Sequence, residues 1–213
     1  WEAALRAVGA GLAACDAVFK KEADNAFCEV RPPGHHAEAD RAMGFCLFNN
    51  VAVAAYHAIE KHGLERVAIV DFDVHHGNGT DAIFAGNENV RLFSLYERGL
   101  FPLDGSTSLA GGGAYVELAP ETGGDEMRRA VEQVWKPALD AFRPDLVMVS
   151  AGFDAHVQDD MSSLRFSDAD YEWLTGLVLE TAEKHAGGRL VSVLEGGYDL
   201  DSLARCAGAH IKQ

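Results

Sequence analysis

The sequence predicts an α/β fold in which a mostly parallel sheet lies between two layers of helices, a three-layer α/β/α arrangement. Three observations predict it. Short apolar runs that read as buried strands alternate with longer segments whose apolar residues recur at helical spacing. Such alternation is the pattern of a parallel sheet covered on both faces. Three of the strand runs end in polar, glycine-rich text, and open sheets of this kind bind ligands just beyond the carboxyl ends of their strands.

Taken in order, Trp1 to about Lys20 spaces Leu5, Val8, Leu12 and Val18 as a helix does. Asn49 and Asn50 can cap a second helix running through Lys61, which Gly63 would end. Val67–Val70 and Val90–Leu95 read as strands. Asp125 to Phe142 is helical in pattern, and Pro137 is expected to kink or split it. "LVMVS", 146–150, is a short buried strand. Ser167, with Asp170 three residues on, opens a helix in the manner of a capping box, continued by Tyr171, Leu174, Leu177 and Val178. Leu190–Leu194 is the last clear strand. No repeat, linker or low-complexity stretch interrupts 1–213, which reads as one domain.

The chain has 213 residues, enough to bury a sizeable core. Its 48% hydrophobic and 24% charged content is ordinary for a soluble globular protein. No apolar run reaches the roughly 20 residues that span a bilayer, and the first residues lack the layout of a secretory signal, so no membrane association is expected. The net charge of −15 argues against direct nucleic-acid binding and is compatible with cationic substrates, although solubility alone would also explain it. Cys15, Cys28, Cys46 and Cys206 form no CxxC pair, which disfavours a structural zinc knuckle. They read as buried thiols in a reducing, cytoplasmic compartment.

The chemistry gathers at the strand ends. "VAIV" runs into "DFDVHHGNG", "LVMVS" into "AGFDAH", and "LVSVL" into "EGGYD". Asp71, Asp73 and His75 are two apart and would point the same way if the extended geometry continued past Val70. Carboxylates with an imidazole suit catalytic zinc, which commonly takes three protein ligands and leaves a position for water. A solvated loop or local cap would account for the DxDxH stretch alone; Asp154, a second carboxylate at a second strand end, favours the metal. In "RPPGHHA" a rigid Pro-Pro-Gly turn presents His35 and His36, suited to proton transfer near neutral pH. Phe45, after Gly44, could line a pocket or be plain core. Gly196 and Gly197 allow a close approach that would bring the Tyr198 hydroxyl into a cleft as an oxyanion donor, unless Tyr198 is a packed surface residue. Together these pieces describe metal-assisted hydrolysis. A metal polarises a carbonyl and activates water, a histidine takes the proton, and a tyrosine stabilises the tetrahedral oxyanion.

The motifs "RPPGHHA", "GFCLFNNVAVAA", "VDFDVHHGNGT", "SLYERGLFP", "GGGAY", "SAGFDAH" and "LEGGYD", in that order, closely resemble the zinc-dependent histone deacetylases of the arginase–deacetylase superfamily. The resemblance covers nearly the whole chain, and Asn78 in "HHGNG" resembles the class II branch and its bacterial relatives. It implies an arginase–deacetylase-like fold and removal of acetyl groups from the ε-nitrogen of lysine. Asp73, His75 and Asp154 would ligate zinc; His35 and His36 would be the tandem pair, with His36 the general base; and Tyr198 would polarise the acetyl carbonyl. Asp71 and Asn78 would orient His35 and His36, so Asp71 would not be a zinc ligand despite its spacing. Phe45 and Phe101 would flank a tunnel for the lysine chain, with Gly152 near the substrate amide. The family also binds potassium, here implied at Asp71, Asp73, His75 and Ser94, largely through backbone oxygens, and again around Phe84, Val90 and Tyr115. Polyamine-preferring relatives carry a glutamate seven residues after the third zinc ligand. This chain has Met161 there, which favours acyl-lysine; the surrounding "QDDMSS" departs from the family's usual Gly-Asp-Pro.

Against that family the chain is expected to be trimmed at both ends, with apolar surface that a partner or a homo-oligomer could cover. Three other readings compete: a deacetylase of acetylpolyamines or other acetylated small amines, an arginase-like two-manganese enzyme, and a non-catalytic acyl-lysine-binding scaffold. The second needs further carboxylate motifs that the sequence lacks, and the third needs the loss of a ligand, a histidine or Tyr198, all of which are present. His76 is expected to be structural.

Overall fold

Val67, Ile69, Leu92, Met148, Val191 and Val193 pack into one apolar cluster, while Ala68, Val70, Phe93, Val147 and Val149 pack into another. Alternate residues of the same strands thus face opposite helical layers, and both faces are dry. The structure, a computed structural model, describes residues 1–103 and 112–213; Gly111 of the "GGGAY" motif lies outside them. Along the described chain run α1 (Glu2–Phe19), β1 (Asn25–Cys28), α2 (Asn50–His62), β2 (Val67–Asp71), α3 (Asn78–Ile83) and β3 (Val90–Glu97). These are followed by β4 (Ala114–Leu118), α4 (Gly124–Phe142), β5 (Leu146–Ala151), α5 (Asp168–Ala186), β6 (Leu190–Leu194) and α6 (Leu200–Lys212). The strands pair in the order β1-β6-β5-β2-β3-β4, all parallel. Helices α1 and α2 cover one face, and α4, α5 and α6 the other. This is the expected three-layer α/β fold. No helix among the described residues is long and apolar enough to cross a membrane.

The helix ends are set by local chemistry. The Asn49 side chain accepts from the Ala52 N–H at 3.0 Å, and Gly63 ends α2 at φ 70°. Asp170 Oδ2 accepts from both the N–H and the hydroxyl of Ser167, at 2.8 and 2.7 Å, while its Oδ1 takes Arg128. Pro137 does not split its helix: α4 runs unbroken from Gly124 to Phe142. Met127, Val131, Trp135 and Leu139 form one buried stripe on both sides of the proline, and Trp135 Nε1 donates to Ala114 O. Packing of that stripe outweighs the backbone hydrogen bond the proline removes.

Four elements carry no clear sequence signal. β1 has four residues and β4 five, and both are partly exposed. α3 is a single polar turn and a half, "NGTDAI". α6 is capped by Asp199, which accepts from the Ser202 N–H at 2.8 Å, but its sequence is mostly small and polar.

The strand order matters most for function. β2, β5 and β6, the strands that run into polar text, are direct neighbours and parallel, so their carboxyl ends lie side by side. Replacing Asp170 by Ala removes the α5 cap and an ion-paired contact to α4; urea denaturation is expected to show a loss of about 1–2 kcal/mol.

Candidate active site

Strand β2 ends at Asp71, where the chain turns: Asp71 Oδ1 accepts from the N–H of Asp73 at 3.1 Å. The extended geometry therefore does not continue, and Asp71 does not share a direction with Asp73 and His75. Asp73 Oδ1 lies 3.0 Å from His75 Nδ1, and Asp154 Oδ2 lies 3.2 Å from the same nitrogen. The remaining oxygens are held by backbone, Asp73 Oδ2 by Gly196 N–H at 2.7 Å and Asp154 Oδ1 by Val74 N–H at 3.0 Å. One Nδ1 proton serves only one acceptor, and Asp154 Oδ2 is buried without a hydrogen bond. One donor atom each from Asp73, His75 and Asp154 thus lie within 4.8 Å of one another in a fully buried cluster. Burial raises the Asp154 carboxyl to about 6, with the Asp73 charge adding to it. Burial opposes the charge on His75, yet Asp154 and Asp73 outweigh it and hold the ring at about 10. Packing is tight enough that a Cβ on Gly152 or Gly196 would collide with these carboxylates.

The tandem histidines approach from the loop after β1. His35 Nδ1 is 3.0 Å from Asp71 Oδ2, and His36 Nδ1 is 2.8 Å from Asn78 Oδ1. Asn78 Nδ2 donates to Glu38 Oε1 at 3.0 Å, which fixes the amide with its oxygen toward His36. An amide oxygen only accepts, so His36 carries its proton on Nδ1 and leaves Nε2 as a free base. Burial, then the neighbouring His35 charge, pushes the His36 pKa down to about 2. His35 is the opposite case: burial opposes its charge, but Asp73 and Asp71 hold its pKa well above the ordinary value.

Three residues that sequence reasoning did not single out lock these loops together. Buried Glu195 accepts from the N–H groups of Gly34 and His35, at 2.7 and 3.1 Å, and from Ser150 Oγ at 3.0 Å. Arg31 reaches back to the carbonyls of Glu195 and Gly197, at 2.6 and 2.8 Å. Asp159 accepts from the N–H groups of Tyr198 and Asp199 through one oxygen and from Met161 N–H through the other. Glu195 could have been found as Asp71 was, as an acid closing an apolar strand; Asp159 has no such signal.

Above this floor opens a cavity of about 350 Å³ lined by Pro33, Gly44, Phe45, Phe101, Met161 and Tyr198, with His35, His36, Asp73, His75 and Gly196 at its base. Phe45 is a wall and not core: it is 69% exposed, at φ 65°, with its ring 6.4 Å from that of Tyr198. Phe101 stands edge-on to His36 at 4.8 Å. Burial raises the Tyr198 hydroxyl above its ordinary pKa, so it stays protonated and able to donate. Gly152 does not line the cavity; it backs Asp73. His76 points away, 3.4 Å from Ser94 Oγ and packed on Tyr96. Ser94 pairs with Asp71 across β2 and β3, while Phe84, Val90 and Tyr115 share the apolar cluster beneath α2.

The strand ends of a parallel α/β sheet thus bring a carboxylate–imidazole cluster that could hold a metal ion beside two histidines and a tyrosine. The chain belongs to the histone deacetylase family: it matches the histone deacetylase domain over residues 1–213. It is 43% identical over its whole length to a histone deacetylase-like amidohydrolase of Pseudomonas aeruginosa, of which the match covers 58%. It is 37% identical to a probable deacetylase of Archaeoglobus fulgidus, over 94% of this chain and 57% of that one. The crystal structure of the HDA15 HD domain superposes with a TM-score of 0.87 at 38% identity, covering 99% of this chain and 61% of that one. The chain thus spans between half and three-fifths of the length of such relatives.

Glu195→Ala would leave two buried N–H groups and a hydroxyl without an acceptor. At about 1–3 kcal/mol for each orphaned group, urea denaturation is expected to show a loss of several kcal/mol, partly recovered in Glu195→Gln.

Proposed function

We propose that the protein is a zinc-dependent amidohydrolase that removes acetyl groups from the ε-nitrogen of lysine side chains. The observation that carries this reading is the convergence of the Asp73–His75–Asp154 cluster with an unprotonated His36 nitrogen and the Tyr198 hydroxyl around one apolar-walled cavity. Asp73, His75 and Asp154 would hold the metal. Two carboxylates and an imidazole suit zinc, and the unpartnered Asp154 oxygen facing a nitrogen already engaged by Asp73 is what a cation would satisfy. When bound, zinc supplies Lewis-acid polarisation of a carbonyl and lowers the pKa of water toward neutrality.

The remaining work falls to the chain itself. His36 takes a proton at Nε2. Asp71 and the Asn78 amide keep the two imidazoles in their tautomers and orientations. Tyr198 donates to the substrate carbonyl oxygen as charge develops there. Pro33, Phe45, Phe101 and Met161 enclose an aliphatic chain and exclude water. Among the described residues the only carboxylate lining the cavity, Asp73, lies at its base, so the described walls offer no partner to the second ammonium of an acetylpolyamine. This favours acetyl-lysine of a protein or peptide, in line with the similarity to a histone deacetylase-like amidohydrolase. Structural potassium at the two places the resemblance implies, and an intracellular setting, are parts of the same proposal.

Release of acetate from an acetyl-lysine peptide tests it. His36→Ala and Tyr198→Phe are each expected to lower kcat by roughly 10²–10⁴-fold. Chelation should abolish turnover and zinc should restore it. A higher kcat/KM for acetylspermidine would overturn the substrate assignment. Absence of turnover in zinc-loaded protein would leave a binding scaffold.

A further inference from the structure

Away from the cavity, a second cluster joins α1 to α2. Asp16 of α1 faces His57 and His62 of α2, with the two Nε2 atoms 2.8 and 3.0 Å from the same carboxylate oxygen, Oδ1. One ligand atom each from Asp16, His57 and His62 lies within 4.8 Å of the others. The three side chains are 15–20% exposed, so solvent reaches the cluster although the rings are largely packed.

We propose that Asp16, His57 and His62 form a second metal site, for a borderline divalent transition ion such as zinc, that clips α1 to α2. Donor chemistry selects the class of ion. Imidazole nitrogens favour zinc and its neighbours over magnesium or calcium, which take oxygen ligands. Two histidines and one carboxylate are a three-ligand set with a position left for water. Donors at 2.0–2.1 Å from a tetrahedral zinc lie about 3.3 Å apart, a few tenths of an ångström beyond the two present nitrogen–oxygen separations.

The site is also preorganised. Lys61 Nζ holds the other oxygen, Oδ2, at 2.5 Å, with Lys20 at 3.7 Å, so Oδ1 is turned toward the rings. Phe19 stacks on His62 at 4.5 Å and 14°, fixing its plane. Behind them Gly11 and Cys15 of α1 pack directly on Ala54, so the helices need not move to bring the ligands together. The two ammonium groups offset the carboxylate charge and leave the nitrogens to decide which ion binds. The C-terminal end of α2 feeds β2 at the opposite edge of the sheet from the carboxyl-terminal strand ends, so this site is separate from the cavity.

Zinc stoichiometry, measured by equilibrium dialysis on the full chain and on the double variant His57→Gln/His62→Gln, tests the proposal. Glutamine keeps a hydrogen-bond donor for Asp16, and neither histidine belongs to the cavity, so the variant should fold and keep its basal turnover. The expected result is one fewer zinc bound per chain in the variant, and a zinc-induced rise in Tm that is smaller than in the parent. Equal stoichiometry in the two proteins would overturn the proposal, whatever the occupancy of the cavity site. A magnesium-induced rise in Tm lost in the same variant would overturn the assignment of the ion.

Discussion

Three carboxylates, those of Asp71, Asp73 and Asp154, are buried at the ends of two neighbouring strands, and the surrounding edge of the sheet is arranged to hold them. Burying such charge without compensation is prohibitive. Compensation comes from backbone N–H groups of Asp73, Val74, His75 and Gly196, and from the imidazoles of His35 and His75. The same constraint accounts for glycine at 152 and 196, where any side chain would occupy the space of a carboxylate oxygen. It also leaves one oxygen of Asp154 buried without a hydrogen bond, 3.2 Å from the His75 ring nitrogen.

The fold serves this charge cluster through strand order. Because β5 lies between β2 and β6, Asp154 enters from one neighbour of Asp73 and the Glu195–Tyr198 segment from the next. The histidine loop and the end of β6 hold each other reciprocally. The Glu195 carboxylate grips loop N–H groups, and the Arg31 guanidinium grips strand-end carbonyls. The backbone segments that carry His36 and Tyr198 are therefore pinned from both sides, while the Asn78 amide orients the His36 ring.

Much of the layering was legible in the sequence because its signals are local. Asn49, Gly63, Ser167 with Asp170, and the apolar runs at 67, 90, 146 and 190 each announce their element within a few residues. Short or mixed segments such as β1, β4 and α3 carry too few residues for a period to emerge. The site was legible where chemistry-bearing residues sit next to strand ends. Spacing alone would align Asp71 with Asp73 and His75, because a period of two presumes a strand that in fact stops there; its carboxylate lies against His35. Arg31 and Asp159 act through backbone groups distant in sequence, a relation that no local pattern encodes.

The clasp between the histidine loop and β6 has a consequence for biosynthesis. Glu195 meets Gly34 and His35 across 161 and 160 residues, and Gly196 meets Asp73 across 123. At about 5–20 residues per second, the ribosome delivers the loop roughly 10–30 s before the strand that secures it. During that interval the nascent chain holds the acidic strand ends of β2 without their last donor. This edge of the sheet is therefore completed only when translation has passed residue 196 and β6 docks beside β5.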